Sequence, residues 1–241
     1  MQDDIDKEQS DGFSSEFFRR NWAVYRKIIE NNYMGHGEAY SKLRDILLAE
    51  MKRPFSFLDL ACGDAYYSSR VLIDTNVALY MGIDLSEAAL SVAREELDKL
   101  DCEKQLRLGD IKESESVVEP PLDIVWVGLS LHHFETGEKA AFMKRVHADL
   151  SDDGIFLIYE PVYLEGEDRA AYYERIKRII ENTWTGLTPE ETLFLLEHVK
   201  TTELPETRGD WLNLGKQSGF TQAESIFSES SGLYCLFMCR K

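Results

Sequence analysis

Positive charge is what this sequence has least of for its size. Its 241 residues carry 27 Lys and Arg against 44 Asp and Glu, a formal net charge of −17. No basic run exceeds a pair, as at Arg19–Arg20 and Lys52–Arg53. Phosphate backbones are held by clustered Lys and Arg that displace counterions, so nucleic acid and anionic membrane are poor partners for this chain. A neutral or cationic small molecule suits the charge better. Cysteine is also scarce: Cys62, Cys102, Cys235 and Cys239 form no C-x-x-C pair, which argues against a zinc site, and no metal is expected. Scattered thiols fit a reducing compartment. Long apolar runs are missing too, none approaching the ~20 residues of a membrane helix. The opening MQDDIDKEQSDG is acidic, without the apolar stretch of a secretory signal, so a cytoplasmic protein is expected. Residues 1–13 read as an acidic disordered tail.

What is present is ordered alternation. Phe17/Phe18, Trp22, Val24/Tyr25, Ile28/Ile29 and Tyr33 recur with helical period, and a second helix is expected over Glu38–Glu50, so that 14–54 forms an N-terminal helical lid. Strands then alternate with helices: FSFLDL, VALYMGID, KQLRLGD, the nearly all-apolar LDIVWVGL, and IFLIYEPV after a "DDG" turn. A continuous apolar run is what a parallel strand buried on both faces requires. In the helix after VALYMGID, Ser86 is a plausible N-cap with Glu87 in the first turn. Residues 162–221 are too long for a simple crossover and are expected to form a helical cap insertion of two or three helices. TQAESIFSE and GLYCLFMCRK close the chain as a hairpin. The expected fold is α/β: a doubly wound, seven-stranded, mostly parallel sheet with a C-terminal antiparallel hairpin, spanning 55–241.

In such sheets ligands sit beyond the carboxyl ends of the strands. FLDLACGDA puts a small-residue turn there, where Gly63 admits positive φ and close backbone approach. Asp84 ends the next strand, 21 residues beyond Gly63, at the distance of a ribose-binding acid; capping of the following helix is the structural alternative. A-C-G-D-A lacks the glycines of the dinucleotide fingerprint, and Asp64 would repel a pyrophosphate. The acidic loop suits a nucleotide-like ligand without phosphates that carries positive charge, as S-adenosylmethionine does.

LDLACGDA, YMGIDLS, LRLGDI, LDIVWVGLSLHHF and DGIFLIYEP, in this order, resemble the class I SAM-dependent methyltransferase family (Rossmann-like methyltransferase fold). The resemblance covers roughly residues 55–161, and the terminal hairpin fits the same sheet. It implies that Asp59 lies under the methionine portion of S-adenosylmethionine, with Ala61, Cys62, Gly63 and Asp64 forming the loop against it. Asp84 would hold the ribose, Leu85 would pack on the adenine, Asp110 and Ile111 would lie at the adenine edge, and Leu129 and Ser130 would approach the methionine moiety. Ala61 and Ala65 depart from the glycines that many members carry there. S-adenosylhomocysteine would be the product.

At the reacting end, His132 and His133 follow the fourth strand and Glu160 and Tyr163 the fifth. His132 and His133 are candidates for proton transfer or acceptor binding, and Glu160 for binding a cationic acceptor or acting in catalysis. Packing against the next helix, or a solvated rim, is the plainer alternative for each. Tyr25 and Tyr33 are candidate lid residues over the cofactor, and Tyr163 and Tyr172 candidate substrate contacts, although helix-spaced aromatics are commonly core. His36, between Gly35 and Gly37, sits on a flexible entry. The expected activity is methyl transfer to a small-molecule acceptor. An NAD(P)-dependent oxidoreductase and a non-catalytic SAM-binding regulatory module are the alternatives. Acceptor atom and oligomeric state are not legible.

Overall fold

The computed structural model describes residues 24–112 and 121–241. The expected tail over 1–13 and the first part of the expected lid, 14–23, lie outside the described residues. Helix α1 covers 24–30, and Gly35, with φ 64°, caps helix α2 (His36–Glu50), two residues earlier than the periodicity suggests. A Cβ at Gly35 would sit 2.8 Å from Glu229 Cβ, so the left-handed backbone and the tight approach both require glycine there.

Strand β1 (Phe55–Leu60), helix α3 (Tyr66–Val71), strand β2 (Val77–Asp84), helix α4 (Glu87–Leu97), strand β3 (Glu103–Leu108), strand β4 (Leu122–Gly128), helix α5 (Thr136–Asp149) and strand β5 (Leu150–Tyr163) follow in turn. Ser86 Oγ accepts from the Ala89 N–H at 3.0 Å, fixing the start of α4 as its sequence suggests. Helices α6 (Arg169–Thr183) and α7 (Pro189–Thr202), the two-residue strand β6 (Glu206–Thr207) and helix α8 (Arg208–Gln217) precede the hairpin of β7 (Gln222–Ser228) and β8 (Tyr234–Arg240).

The sheet order is β3-β2-β1-β4-β5-β8-β7, with β6 beside β5 off this path. Strands β3 to β5 pair in parallel, and β8 is antiparallel to both β5 and β7. The seven-stranded, mostly parallel expectation therefore holds, with β6 as a short addition. The expected "DDG" turn is instead absorbed into β5: Leu150 pairs with Leu122, then the register jumps so that Ile155 pairs with Ile124. Asp152 and Asp153 are left exposed on the resulting irregularity, because neither carboxylate tolerates the interior.

Alternation along the strands divides the interior. Phe57, Tyr80, Trp126, Leu157 and Tyr159 face the layer that contains α2, α6 and α7, whereas Leu58, Val125, Val127, Phe156 and Ile158 face α5 and α8. β1 and β4 are sheet neighbours although β1 is followed in sequence by β2 on its other side. Strand order thus reverses between them, which opens a crevice at their carboxyl ends. Among the described residues, no helix is long and apolar enough to cross a membrane.

Candidate active site

The loop leaving β1 follows a left-handed zigzag: Ala61, Gly63 and Ala65 have φ of 56°, 54° and 53°. The two alanines thus keep the backbone shape that glycine adopts freely, at a steric cost of order 1 kcal/mol each. A Cβ built on Gly63 would meet nothing within 4 Å, so the space above the loop is open. The loop is tied to the next strand by the Gly63 N–H, which donates to Asp84 Oδ2 at 2.8 Å. The other oxygen, Oδ1, accepts from the Ser86 N–H at 2.9 Å. Asp84 therefore sits at the start of α4 and also braces the loop. Each carboxylate oxygen has a second lone pair for a ligand hydroxyl.

Asp59 lies beneath the loop on the face of β1 turned toward α2 and is 2% exposed. Its Oδ2 accepts from Tyr80 Oη at 2.8 Å. Burial pushes its carboxyl up to about 7. Among the described residues Asp59 has no ion-pair partner, and a buried carboxylate without a counter-charge is costly in its ionised form. Asp64 Oδ1 accepts from the Tyr66 N–H at 3.1 Å at the start of α3. Cys62 is half-buried, with Sγ against Gly82, and burial pushes its thiol up. Beyond the carboxyl ends of β2 and β3, Leu85 is 71% exposed, Ile111 is buried, and Asp110 Oδ1 accepts from the Lys112 N–H at 2.8 Å.

Ala61–Ser68, Gly128 and Leu129 bound one cavity together with Tyr25, His36 and Tyr40. His36, which the sequence places only on a glycine-flanked entry, is part of this wall. Its ring is 4% exposed, lies 5.5 Å from Tyr67 in a near-parallel stack, and has Tyr25 and Tyr159 at its edges. Its Nδ1 has no hydrogen-bond partner, and burial lowers its pKa to about 4, so the ring is neutral. The Gly-His-Gly run was its only sequence signal.

A second cavity, of about 210 Å³, shares Tyr25 and Leu129 with the first. Leu129 has φ 54°, a rare backbone for leucine, held by its N–H donating to Tyr159 O at 2.8 Å. The turn beyond it is organised by Glu160, which is fully buried. Glu160 Oε1 accepts from the Ser130 and Leu131 N–H groups at 2.9 and 2.7 Å, and Oε2 from the His132 N–H at 3.3 Å. Glu160 Oε2 also lies 2.6 Å from His132 Nδ1. Burial works against a charged His132, but the Glu160 carboxylate outweighs it and raises the imidazole pKa. His133 lies 4.1 Å from His132 between ring centroids, and burial lowers it to about 4.

The candidates therefore separate. Ala61, Cys62, Gly63, Asp64, Leu129 and Tyr25 bound one cleft, Asp84 is tied to it through the Gly63 N–H, Asp59 lies behind it hydrogen-bonded to Tyr80, and His132 and His133 line the adjoining chamber. Glu160 stands behind His132. Tyr33 is stacked on Trp184 at 5.2 Å and receives the Gly186 N–H, apart from the loop. Tyr163 packs edge-on against Tyr172 at 5.0 Å, and Tyr172 Oη donates to Glu203 Oε2 at 2.9 Å, behind the chamber wall. Glu203 and His198, which no motif marked, are chamber residues.

Residues 57–154 match the family described as "Methyltransferase domain". A carboxy-S-adenosyl-L-methionine synthase of Geobacter sp. (strain M21) is 26% identical over 88% of this chain and 87% of that protein. One from Campylobacter concisus (strain 13826) is 25% identical over 78% of this chain and 79% of its own. Among solved structures, the plantazolicin methyltransferase BpumL in complex with a pentazolic desmethylPZN analog and SAH has a TM-score of 0.65 at 17% identity, covering 95% of this chain and 93% of that one. A putative O-methyltransferase from Nostoc punctiforme PCC 73102 has a TM-score of 0.60 at 16% identity; the match covers 86% of this chain and spans 57% of that protein's length. The open loop carries Asp64 and no basic residue, a setting that fits a sulfonium and ammonium cation such as S-adenosylmethionine brings. Motif order, sheet topology and the match over residues 57–154 give the chain a methyltransferase domain on the Rossmann-like fold that these proteins share.

Proposed function

We propose that the chain methylates a small-molecule acceptor held in the chamber beside the cofactor cleft. The observation that carries this reading is the pair of cavities meeting at Tyr25 and Leu129, so that a ligand in one faces a ligand in the other. S-adenosylmethionine supplies an activated methyl on a cationic sulfur, so alignment and exclusion of water account for much of the rate. Asp59 holds the ammonium end, the Ala61–Ala65 loop gives backbone contact, and Asp84 receives the ribose hydroxyls. Leu85, Asp110 and Ile111 border the adenine, and Leu129 and Ser130 the methionine portion. α1 and α2 act as a lid through Tyr25 and His36, and α6 and α7 as the cap that shapes the acceptor chamber. His132, oriented by Glu160, takes a proton from an acceptor that must lose one.

Isothermal titration should show binding of S-adenosylhomocysteine and none of NADH. Asp84→Ala should weaken the former by about tenfold or more with the fold retained, the loss expected for two hydroxyl contacts to a carboxylate. Binding of NADH instead, or an unchanged affinity in Asp84→Ala, would sink the assignment.

The likeness to carboxy-S-adenosyl-L-methionine synthases over 88% of the chain favours a second reading, in which the cofactor itself is carboxylated. Mass spectrometry of the nucleoside product separates the two: S-adenosylhomocysteine for transfer to an acceptor, a carboxylated S-adenosylmethionine for the alternative.

A further inference from the structure

The chamber has an apolar body and one acidic pole. Pro161, Ile176, Ile180, Trp184, Leu195 and Val199 supply the body. At the pole stand His132, His133, His198 and Glu203, and among the described residues no Lys or Arg lines the space. Glu203 is 8% exposed, yet among the described residues its carboxylate accepts one hydrogen bond, from the neutral Tyr172 hydroxyl, and has no ion-pair partner. The buried Lys139 nearby in the fold is already engaged by Glu206 at 2.9 Å and by Leu204 O. Glu160 is likewise occupied, by three N–H groups and His132. His133 and His198 are kept neutral by burial, and His132, although Glu203 also raises its pKa, is held by Glu160 at 2.6 Å, so none of the three is a dedicated counter-ion for Glu203. The segment is held firmly, with the Leu204 N–H donating to His132 O at 2.6 Å. The histidines and Glu203 do not form a metal-ligating group. A carboxylate placed in an apolar chamber without a cation is costly unless the ligand brings the positive charge.

We propose that the methyl acceptor is an amine on a small apolar body, its nitrogen received by Glu203. This inference rests on the methyltransferase reading above. The amine enters as the ammonium ion paired with Glu203 and gives one proton to neutral His132. The freed nitrogen lone pair forms the N–CH3 bond while the S–CH3 bond breaks, leaving its electron pair on sulfur as a neutral thioether. The product leaves as the methylated ammonium ion.

The test uses the full chain saturated with S-adenosylhomocysteine and three probes sharing one body: 2-phenylethylamine, 2-phenylethanol and phenylacetate. Calorimetry should show the amine binding about tenfold or more tighter than the alcohol, and phenylacetate weakest. In Glu203→Gln the amine should lose about 30-fold, the cost of stranding one member of a buried charge pair, while the alcohol is little changed. S-adenosylhomocysteine affinity within about twofold of the parent verifies that the variant is folded. An amine that does not bind, phenylacetate binding as well as the amine, or an amine preference that survives Glu203→Gln would overturn the proposal. Failure of S-adenosylhomocysteine itself to bind would instead strike the methyltransferase reading.

Discussion

At the scale of single residues, Asp59 is where stability and ligand binding oppose each other. Its carboxyl titrates near 7 in the fold against 3.8 when exposed, so the folded state holds a proton that the unfolded state has released between those values. Stability from this group is therefore present at low pH and lost as pH rises from about 4 through 7. Above pH 7 the site holds an ionised buried acid, the form that the proposed ammonium contact requires. Asp59→Asn should raise the melting temperature of the ligand-free protein at pH 8 by at least about 3 °C, equivalent to ~1 kcal/mol in a chain of this size. It should also abolish most of the thermal shift given by S-adenosylhomocysteine. An unchanged or lower melting temperature in the absence of ligand would refute this. Much of this cleft was legible: Asp59, Gly63 and Asp84 occupy ordered motif positions that a local pattern fixes, and the alanines at 61 and 65 proved to keep glycine-like backbones. His36 and Glu203 were not legible, because their importance lies in what surrounds them. One is enclosed by tyrosines from three separate segments, and the other is left without a counter-charge by partners distant in sequence.

At the scale of elements, the turn after β4 and the end of β5 act as one unit. Glu160 extends from β5 into three successive N–H groups and one imidazole of that turn, an arrangement resembling the carboxylate–histidine pairs that set ring orientation. The sequence placed both segments at the carboxyl end of the sheet but could not show that Glu160 faces inward, since this depends on the left-handed Leu129 that swings the N–H groups toward it. His132 has a folded pKa above its ordinary 6.5, so its stabilising contribution is full below pH 6.5 and lost as pH rises through the raised value. For catalysis the sense is reversed, since only the neutral ring accepts a proton. The acid limb of kcat/KM should accordingly have its midpoint above 6.5 in the parent. In Glu160→Gln it should fall, because burial is then opposed only by the weaker pull of Glu203. A limb that does not move would remove Glu160 as a positioning residue. The strands themselves were read nearly to the residue, whereas the "DDG" segment was misread as a turn because the register slip that absorbs it is set by the pairing with β4.

At the scale of the whole molecule, a net charge of −17 spread over one chain is self-repulsive, and salt relieves part of that repulsion. Raising sodium chloride from ~0.02 M to ~0.3 M shortens the screening length well below the molecular diameter. The melting temperature of the ligand-free protein should rise across that range; a fall would show that attractive ion pairs such as Arg240–Glu50 outweigh the net repulsion. Sheet order adds a constraint of a different kind. β8 is the last strand in chain order, yet it lies between β5 and β7 and is the antiparallel partner of the long central β5. Until β8 docks, β5 presents an open, strongly apolar edge from Ile155 to Val162, with the α6–α8 excursion still to be accommodated. Completion of the acceptor side thus waits on the most non-local pairing in the chain, a slow step in folding kinetics, and the nascent protein is most exposed to misassociation while this edge is bare.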